Sequence, residues 1–594
     1  MNYPFFKKLI ALLVVPFFII MQVSCSKPQA MEQTVKEVMD QTITRLYQTM
    51  DEKQLTSLTN DQVMDLFSDQ EKQVLSTKHW MFDVNVPVVV SVMCSAEQKI
   101  KPFWLAQNGF INTGKTMKNE QVTYEVWQKS FDAGSVQLGV NGFAGYSLHY
   151  FVSVAPQNHD DQLVLSNFFP ENQFVSELKD GAFTYHDWDE LVLMDVPADM
   201  VGQKLLTTIR GRSSETHLIG AFRKTAYPSS SIPDQALLTW SSDPTSGIDI
   251  QWRTDTTVTS GKVIYRIKGT DEIDSVQAEK FRMEDRDLMN DRYINRFTAQ
   301  LRNLQPATTY EYRISPDKNW KEDYTFSTSS NDNSFSFIWF GDTHHSPKFG
   351  ELFNLAEKAH PDVAFYSIAG DLVSDGLQRD QWDDLFEFPK NVICRKPLMN
   401  VPGNHDNRSG LGAWMYQEMF SYPKNGPVGV PIEQTYSFRY KNALFLMIDC
   451  TSPIDVQTKW IEDQLANTDA TWKFAMFHFP PYNWEEPYFD IQKAWVPLFD
   501  KYHVDMVMSG HIHYYMRSNP MKNGKVVKSF NDGTVYAISI AIPNGIRTMA
   551  DEPYAAVRAQ EVSFYQYMKI EGNKLSYTSV DSNDKVIDSF TIKK

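Results

Sequence analysis

The spacing of apolar side chains changes character three times along the chain. Residues 25–75 are polar overall, and "MEQTVKEVMDQTITRLYQTM" sets its apolar residues three and four apart, the helical period. A helical spacer, or an arm packed on the next domain, is predicted there. From about Trp80 the texture shifts. "MFDVNVPVVVSVM" and "VQLGVNGFAGYSLHYFVSVA" are rich in β-branched and aromatic residues between turn formers, so residues 76–228 are predicted to be mostly β. "YPSSSIPD" has the Pro and Ser cluster of a linker. Beyond it, "QALLTWSSDPTSGIDIQWRTD" carries two alternating runs around a turn. "FTAQLRNLQPATTYEYRIS" adds a strand, a Leu-Gln-Pro turn and a strand with Tyr310 and Tyr312 on one face. Short strands at this spacing predict an antiparallel sandwich of about 100 residues over 229–330.

Residues 331–594 follow another grammar. The apolar runs "FSFIWF", "VAFYSIA", "PLMNV", "ALFLMID", "WKFAMFH" and "VDMVMSG" are separated by helical patterns such as "GELFNLAEKAH" and "VQTKWIEDQLAN". "TVYAISIAI", "SFYQYMKI" and "KLSYTSV" complete the sheets. Strands alternating with helices predict an α/β layered fold. Polar residues recur at the ends of these runs. "FIWFGDTHH" ends in Asp342 and His344, "FYSIAGDLVSDG" in Asp371, and "NVPGNHDNRSG" in Asn404, His405 and Asp406. "FAMFHFPP" delivers His478, and "MVMSGHIHYY" delivers His511 and His513. In open α/β sheets, ligand sites form beyond the C-terminal ends of strands, so these segments are expected to converge on one crevice. The glycine ahead of most of them is expected to let the chain turn and expose the next side chain.

Two carboxylates, one amide and four imidazoles, with His405 besides, suffice for a pair of divalent cations sharing one carboxylate. Mixed N and O donors without thiolate suit Zn, Mn, Fe, Co or Ni better than Ca or Mg. Such a pair offsets the charge of a phosphate ester and lowers the pKa of water enough to supply a nucleophile near neutral pH. The ordered set GDxH, GD, GNHD, H and GHxH resembles the calcineurin-like metallophosphoesterase superfamily over roughly residues 334–545. That resemblance implies a β-sandwich flanked by helices. By position, Asp342, His344, Asp371 and His513 would hold one metal. Asp371, Asn404, His478 and His511 would hold the other, with Asp371 bridging. His405 matches the histidine that contacts the phosphate and helps protonate the leaving oxygen. Residues 232–328, with "LTW", "IQWRT" and "LQPATTYEYRI", resemble the fibronectin-like N-terminal domain of purple acid phosphatases. Ser374 stands where those enzymes have a tyrosine, so no iron–tyrosinate colour is expected. Asp375 and Asp406 are two candidates for orienting His405. Arg408 is a candidate phosphate contact, with a surface arginine as the alternative. Tyr482 and Trp484 are candidates for a wall against a nucleoside or aryl group, with loop packing as the alternative. His345, His503, and His149, His159 and His186 of the β region read as structural or exposed.

Charge and termini narrow the function. A net charge of -16 argues against nucleic-acid binding, which needs a basic footprint, but not against a small phosphorylated substrate held by metals. Lys7 and Lys8 followed by "LIALLVVPFFII" read as an export signal, too short for a span of about 20 residues. "MQVSC" then resembles a bacterial lipoprotein signal over residues 1–24 with Cys25 as the lipidated residue; an ordinary cleaved signal or an uncleaved anchor is the alternative. A lipid there would tether the protein to a membrane, with periplasmic or cell-surface exposure and the outer membrane favoured. Cys94, Cys394 and Cys450 are too far apart for a disulfide framework. The expectation is a phosphomonoesterase acting outside the cytoplasm. The alternatives are a phosphodiesterase or nucleotide pyrophosphatase, and, from another class, a non-catalytic surface lipoprotein that binds phosphorylated ligands.

Overall fold

Four short helices open the described chain, and each starts on a reciprocal cap. The pairs are Thr34 with Glu37, Asp51 with Gln54, Thr59 with Gln62, and Ser68 with Glu71. In each, the first side chain accepts from a backbone N–H that the helix leaves unpaired, and the second reaches back. The computed structural model describes residues 33–594 apart from 146–147, 172, 188–190, 487 and 543–549. The expected signal sequence and Cys25 lie outside the described residues. The helix Val35–Thr49 turns Val38, Met39, Ile43 and Leu46 inward. They form one buried cluster with Val140, Phe143, Leu218 and Phe222, so the helical segment is packed on the β region.

That β region holds a three-stranded and a seven-stranded sheet. In the larger, Val88–Ser95 pairs antiparallel with Thr123–Phe131 and with Phe151–Pro156. Trp80, Phe82, Val90, Val92, Trp104, Val152 and Val154 fill its core. Next comes a sandwich of two four-stranded sheets. The strands Asp234–Thr239 and Ile248–Asp255 pair as the alternating pattern predicts. Trp252 stacks on Phe297 at 5.3 Å, and Tyr310 and Tyr312 are both buried. The Tyr312 hydroxyl donates to the Cys394 carbonyl (2.5 Å), tying this sandwich to the last domain. Buried ion pairs join the same two domains, Arg253 with Asp383 and Arg379 with Asp291, and Arg379 also pairs with Asp383 within the last domain.

The last domain is also a layered pair of sheets. Its five-stranded sheet runs in the order Phe365–Ile368, Ser334–Phe340, Phe564–Glu571, Lys574–Asp581, Val586–Lys593. In its seven-stranded sheet, Ala443–Met447, Trp472–Met476, Met506–Ser509 and Val535–Ile538 lie parallel and adjacent. Between the sheets Phe337 meets Phe365 at 4.9 Å, Phe445 at 5.2 Å and Phe474 at 5.8 Å. Helices such as Pro347–Ala359 and Ile454–Ala466 connect the strands. The run "PLMNV" differs from expectation. It makes only isolated parallel bridges, Tyr366 with Leu398 and Ala369 with Val401, because its hydrogen bonds are shared between Tyr366, Leu238 and the Tyr422 hydroxyl.

Candidate metal centre

Asp342 follows the strand Ser334–Phe340, Asp371 follows Phe365–Ile368, His478 follows Trp472–Met476, and His511 follows Met506–Ser509. These ends meet. Ligand-capable atoms of Asp342, His344 and His513 lie within 4.8 Å of one another, and so do those of Asp371, His478 and His511. Asp371 also groups with His344 and His405. Its Oδ2 stands in the middle, 3.0 Å from His478 Nε2, 3.8 Å from His344 Nε2 and 4.0 Å from His405 Nε2. Asp342 Oδ2 is 3.2 Å from His513 Nε2 and 3.9 Å from His344 Nε2.

The backbone holds these side chains with unusual conformations. His344, Asp371 and His511 have φ of 42°, 50° and 69°, the left-handed region that costs a residue with a side chain. The glycines act differently from the turn role expected of them. Of those preceding the motifs, Gly370 alone has a left-handed φ (93°), and a Cβ there would fall 2.5 Å from the His478 ring. Gly403 and Gly510 are needed for proximity. A Cβ would come within 2.2 Å of Asp371 Oδ1 at the first and of Asp342 Oδ1 at the second. Each carboxylate is aimed by its own Oδ1. Asp342 accepts there from the His511 N–H (2.7 Å), and Asp371 from the His405 N–H (2.9 Å). His478 Nδ1 donates to the Ala369 carbonyl (2.8 Å), which turns Nε2 toward Asp371 Oδ2.

Charge in the centre is mutually arranged. Burial would push both carboxyls up in pKa, but His478 and its neighbours outweigh it, leaving Asp342 lowered and Asp371 well below the usual range. Burial alone would depress His478, yet Asp371 and Asp342 raise it to about 9. Burial wins at His344, which falls to about 4.

The residues fit bound divalent metal on a direct observation. His344 Nε2 and Asn404 Oδ1 are buried without a hydrogen-bond partner, while Asp342 Oδ2 and His478 Nε2 face other candidate ligands, His513 Nε2 at 3.2 Å and Asp371 Oδ2 at 3.0 Å. Leaving such an atom unpaired costs about 1–3 kcal/mol, so a fold that brings these groups together is built for a ligand that satisfies them. The donors are imidazole, carboxylate and amide, the set that Zn, Mn or Fe takes.

Neither Asp375 nor Asp406 orients His405. His405 Nδ1 instead donates to the Ser374 carbonyl (2.8 Å). Asp406 is fully buried and spends its carboxylate on the backbone N–H groups of Leu372, Val373 and Gly403. Burial, followed by the nearby Asp371, pushes its pKa up to about 7 despite those bonds. Asp375 pairs with Arg408 at 3.2 Å, which occupies the arginine considered for phosphate. Tyr482 packs on Tyr536, and Trp484 stacks on Tyr514 at 4.2 Å, so both belong to loop packing. His345 faces Asp384, and His503 faces Asp505. Two residues at the centre escaped sequence reasoning. The Tyr488 hydroxyl lies 2.7 Å and Glu486 Oε2 3.1 Å from His511 Nε2. The acidic, aromatic loop "HFPPYNWEEPYF" was their signal, but it did not say which members turn inward.

Comparisons agree with this architecture. Residues 335–515 match the calcineurin-like phosphoesterase family, and residues 233–328 match the purple acid phosphatase N-terminal domain. An uncharacterised protein of Mycobacterium tuberculosis is 28% identical over 269 residues, 38% of this chain and 51% of that protein. The chain thus spans about half the length of that relative. A nucleotide pyrophosphatase/phosphodiesterase of Hordeum vulgare is 24% identical over 333 residues, 46% of this chain and 88% of that one. The purple acid phosphatase from yellow lupin (Lupinus luteus) seeds shares the fold. Its TM-score is 0.53 at 15% identity, covering 76% of this chain and 94% of the lupin chain. The chain carries a purple acid phosphatase N-terminal domain followed by a calcineurin-like phosphoesterase domain.

Proposed function

We propose that this protein hydrolyses phosphate monoesters, with water as the acceptor, at a centre built for two divalent cations. One observation carries the reading: ligand-capable atoms of Asp342, His344 and His513, and of Asp371, His478 and His511, converge within 4.8 Å in each group. When bound, the cations offset the charge of the ester and acidify a water. Asp342, His344, Asp371 and His513 would hold one, and Asp371, Asn404, His478 and His511 the other. The protein's own part is then orientation and proton transfer. His405 is the exposed member of the group, with 44% of its side chain accessible, and Ser374 fixes its ring so that Nε2 looks into the crevice. It donates a proton to the departing oxygen, an effect typically worth about 10²–10⁴ in rate. Asn404 supplies a neutral oxygen, which keeps the site from excess negative charge.

The barley relative's name supports a second reading, hydrolysis of diesters or nucleotide pyrophosphates. A third is a surface protein that binds phosphorylated ligands without turning them over. Nitrophenyl phosphate and bis-nitrophenyl phosphate, compared with Mn or Zn supplied, separate the three. Faster turnover of the monoester is expected. Preference for the diester selects the second reading, and metal binding with no turnover of any ester selects the third.

We propose further that the chain is exported and anchored through lipid on Cys25. This rests on the N-terminal sequence. Among the described residues, no helix is long and apolar enough to cross a membrane. Labelled palmitate is expected in the wild type, and label persisting in Cys25→Ala overturns the anchor.

A further inference from the structure

We propose that the mostly-β region ahead of the phosphatase domains is a brace for the loop that carries His405, with Gly211 and Ile209 as positioning residues. The inference rests on the role given to His405 above. Residues 405–412 run from His405 over the surface of the last domain, and their backbone is costly to hold. Arg408 and Ser409 have φ of 45° and 51°, and Gly410 has 87°. Consecutive residues in the left-handed region persist only where the surroundings over-determine them.

Part of those surroundings comes from about 200 residues upstream in sequence. The 3-10 segment Arg210–Thr216 lies against the loop, and the Gly211 N–H donates to the Ser409 carbonyl (3.0 Å). The approach is to backbone at Gly211 and to side chains at Gly410. A Cβ on Gly211 would fall 2.8 Å from the Arg408 carbonyl oxygen and 2.9 Å from that of Ser409. A Cβ on Gly410 would fall 2.8 Å from Ile209 Cγ2 and 3.1 Å from Asp187 Cβ. Two glycines, one from each surface, therefore let the loop and the segment interlock.

The segment is itself rigidly held. Arg210 makes a two-pronged ion pair with Asp187, whose side chain is fully buried. Arg212 donates to the His79 carbonyl (2.5 Å), and Thr216 to that of Gly142 (2.7 Å). These bonds root it in the core of the β region. On its other flank, the loop's start is pinned within the phosphatase domain: the Gly376 N–H donates to the His405 carbonyl (2.9 Å), and Arg408 pairs with Asp375. His405 thus sits where a loop fixed at its start is held further along by another domain. Displacing the far end tilts the ring that must meet the leaving oxygen, and a shift of about 1 Å at a reacting group can cost about 10²-fold.

The test uses the full chain and two readouts. Gly211→Ala forces the segment off the loop, and Ile209→Ala loosens the same contact without a clash. In each, hydrogen exchange of residues 405–412 is expected to quicken while bound metal stays at the wild-type level. Turnover should fall by roughly 10–100-fold on an alkyl phosphate and far less on 4-nitrophenyl phosphate, because a good leaving group needs no proton. His405→Ala sets the pattern to be matched. Unchanged exchange in Ile209→Ala, or equal losses on the two esters in a folded variant, overturns the brace. If the wild type hydrolyses no ester, the proposed function falls, and the exchange measurement still decides whether the loop is braced.

Discussion

Buried histidines occur in two regions of this molecule and behave in opposite ways. In the β region His79 and His149 are 1% and 0% exposed and stack with ring centres 5.1 Å apart. Their Nε2 atoms are 2.8 Å apart, and His149 Nδ1 donates to the Tyr150 carbonyl (2.7 Å). That second bond makes His149 Nε2 the acceptor and His79 Nε2 the donor, so the two rings satisfy each other there, while His79 Nδ1 is left without a hydrogen bond, 3.5 Å from Glu215 Oε2. In the metal centre His478 is equally buried, yet its Nε2 faces the Asp371 carboxylate at 3.0 Å. Charge follows the neighbours. Burial and Arg212 hold His149 down to about 3, while two carboxylates lift His478 to about 9 against the same burial. A metal centre is therefore marked by several ligand-capable atoms converging on shared carboxylates, and burial by itself marks only a core.

Removing the shared carboxylate tests the metal side of this contrast most severely. Asp371→Asn is expected to abolish activity and to deplete both metals, a larger loss than the ~10–100-fold that outer-shell changes cost. Metal analysis checks it, and full occupancy with intact turnover would place the centre elsewhere. His405→Ala should come next, with turnover slower by about 10²–10⁴-fold at unchanged metal content. Here the separation of the two readouts matters, since a fall in metal would make His405 a ligand.

Much of this centre was legible in the sequence because each candidate ligand sits within four residues beyond an apolar run. Strand ends on one edge of a layered sheet have to meet, so "FIWFGD" and "MVMSGH" already implied proximity. What escaped was backbone chemistry. The group that turns His405 is the Ser374 carbonyl, and any residue at that position supplies one, so the sequence pointed instead to the nearby carboxylates Asp375 and Asp406. The glycines misled in the same way. Gly403 and Gly510 look like turn residues, but their reason is a carboxylate oxygen that only the folded chain brings within 2.2 Å. The docking of residues 209–214 on the His405 loop was hidden for a third reason. It is a contact between segments about 200 residues apart, and no periodicity in either one records it.

The histidine pair offers the smaller tests. His149→Ala should cost about 2–3 kcal/mol through the cavity it leaves and the bond it breaks, with the metal content untouched. A third equivalent of metal in the wild type that this variant loses would erase the distinction drawn between the two regions. The finest test is pH. A histidine held well below its unfolded value resists protonation in the folded state, so between about pH 6.5 and about 3 the unfolded chain binds the extra proton. Stability from this site is therefore full above pH 6.5 and is lost as the pH falls, by about 1.4 kcal/mol per unit for one proton. His149→Gln removes that proton from the balance. The dependence of the urea midpoint on pH between 6 and 4 should be shallower in the variant, by close to one proton's worth. Parallel curves would mean that His149 titrates alike folded and unfolded, and the pair would then not be the sealed, neutral counterpart of the metal centre.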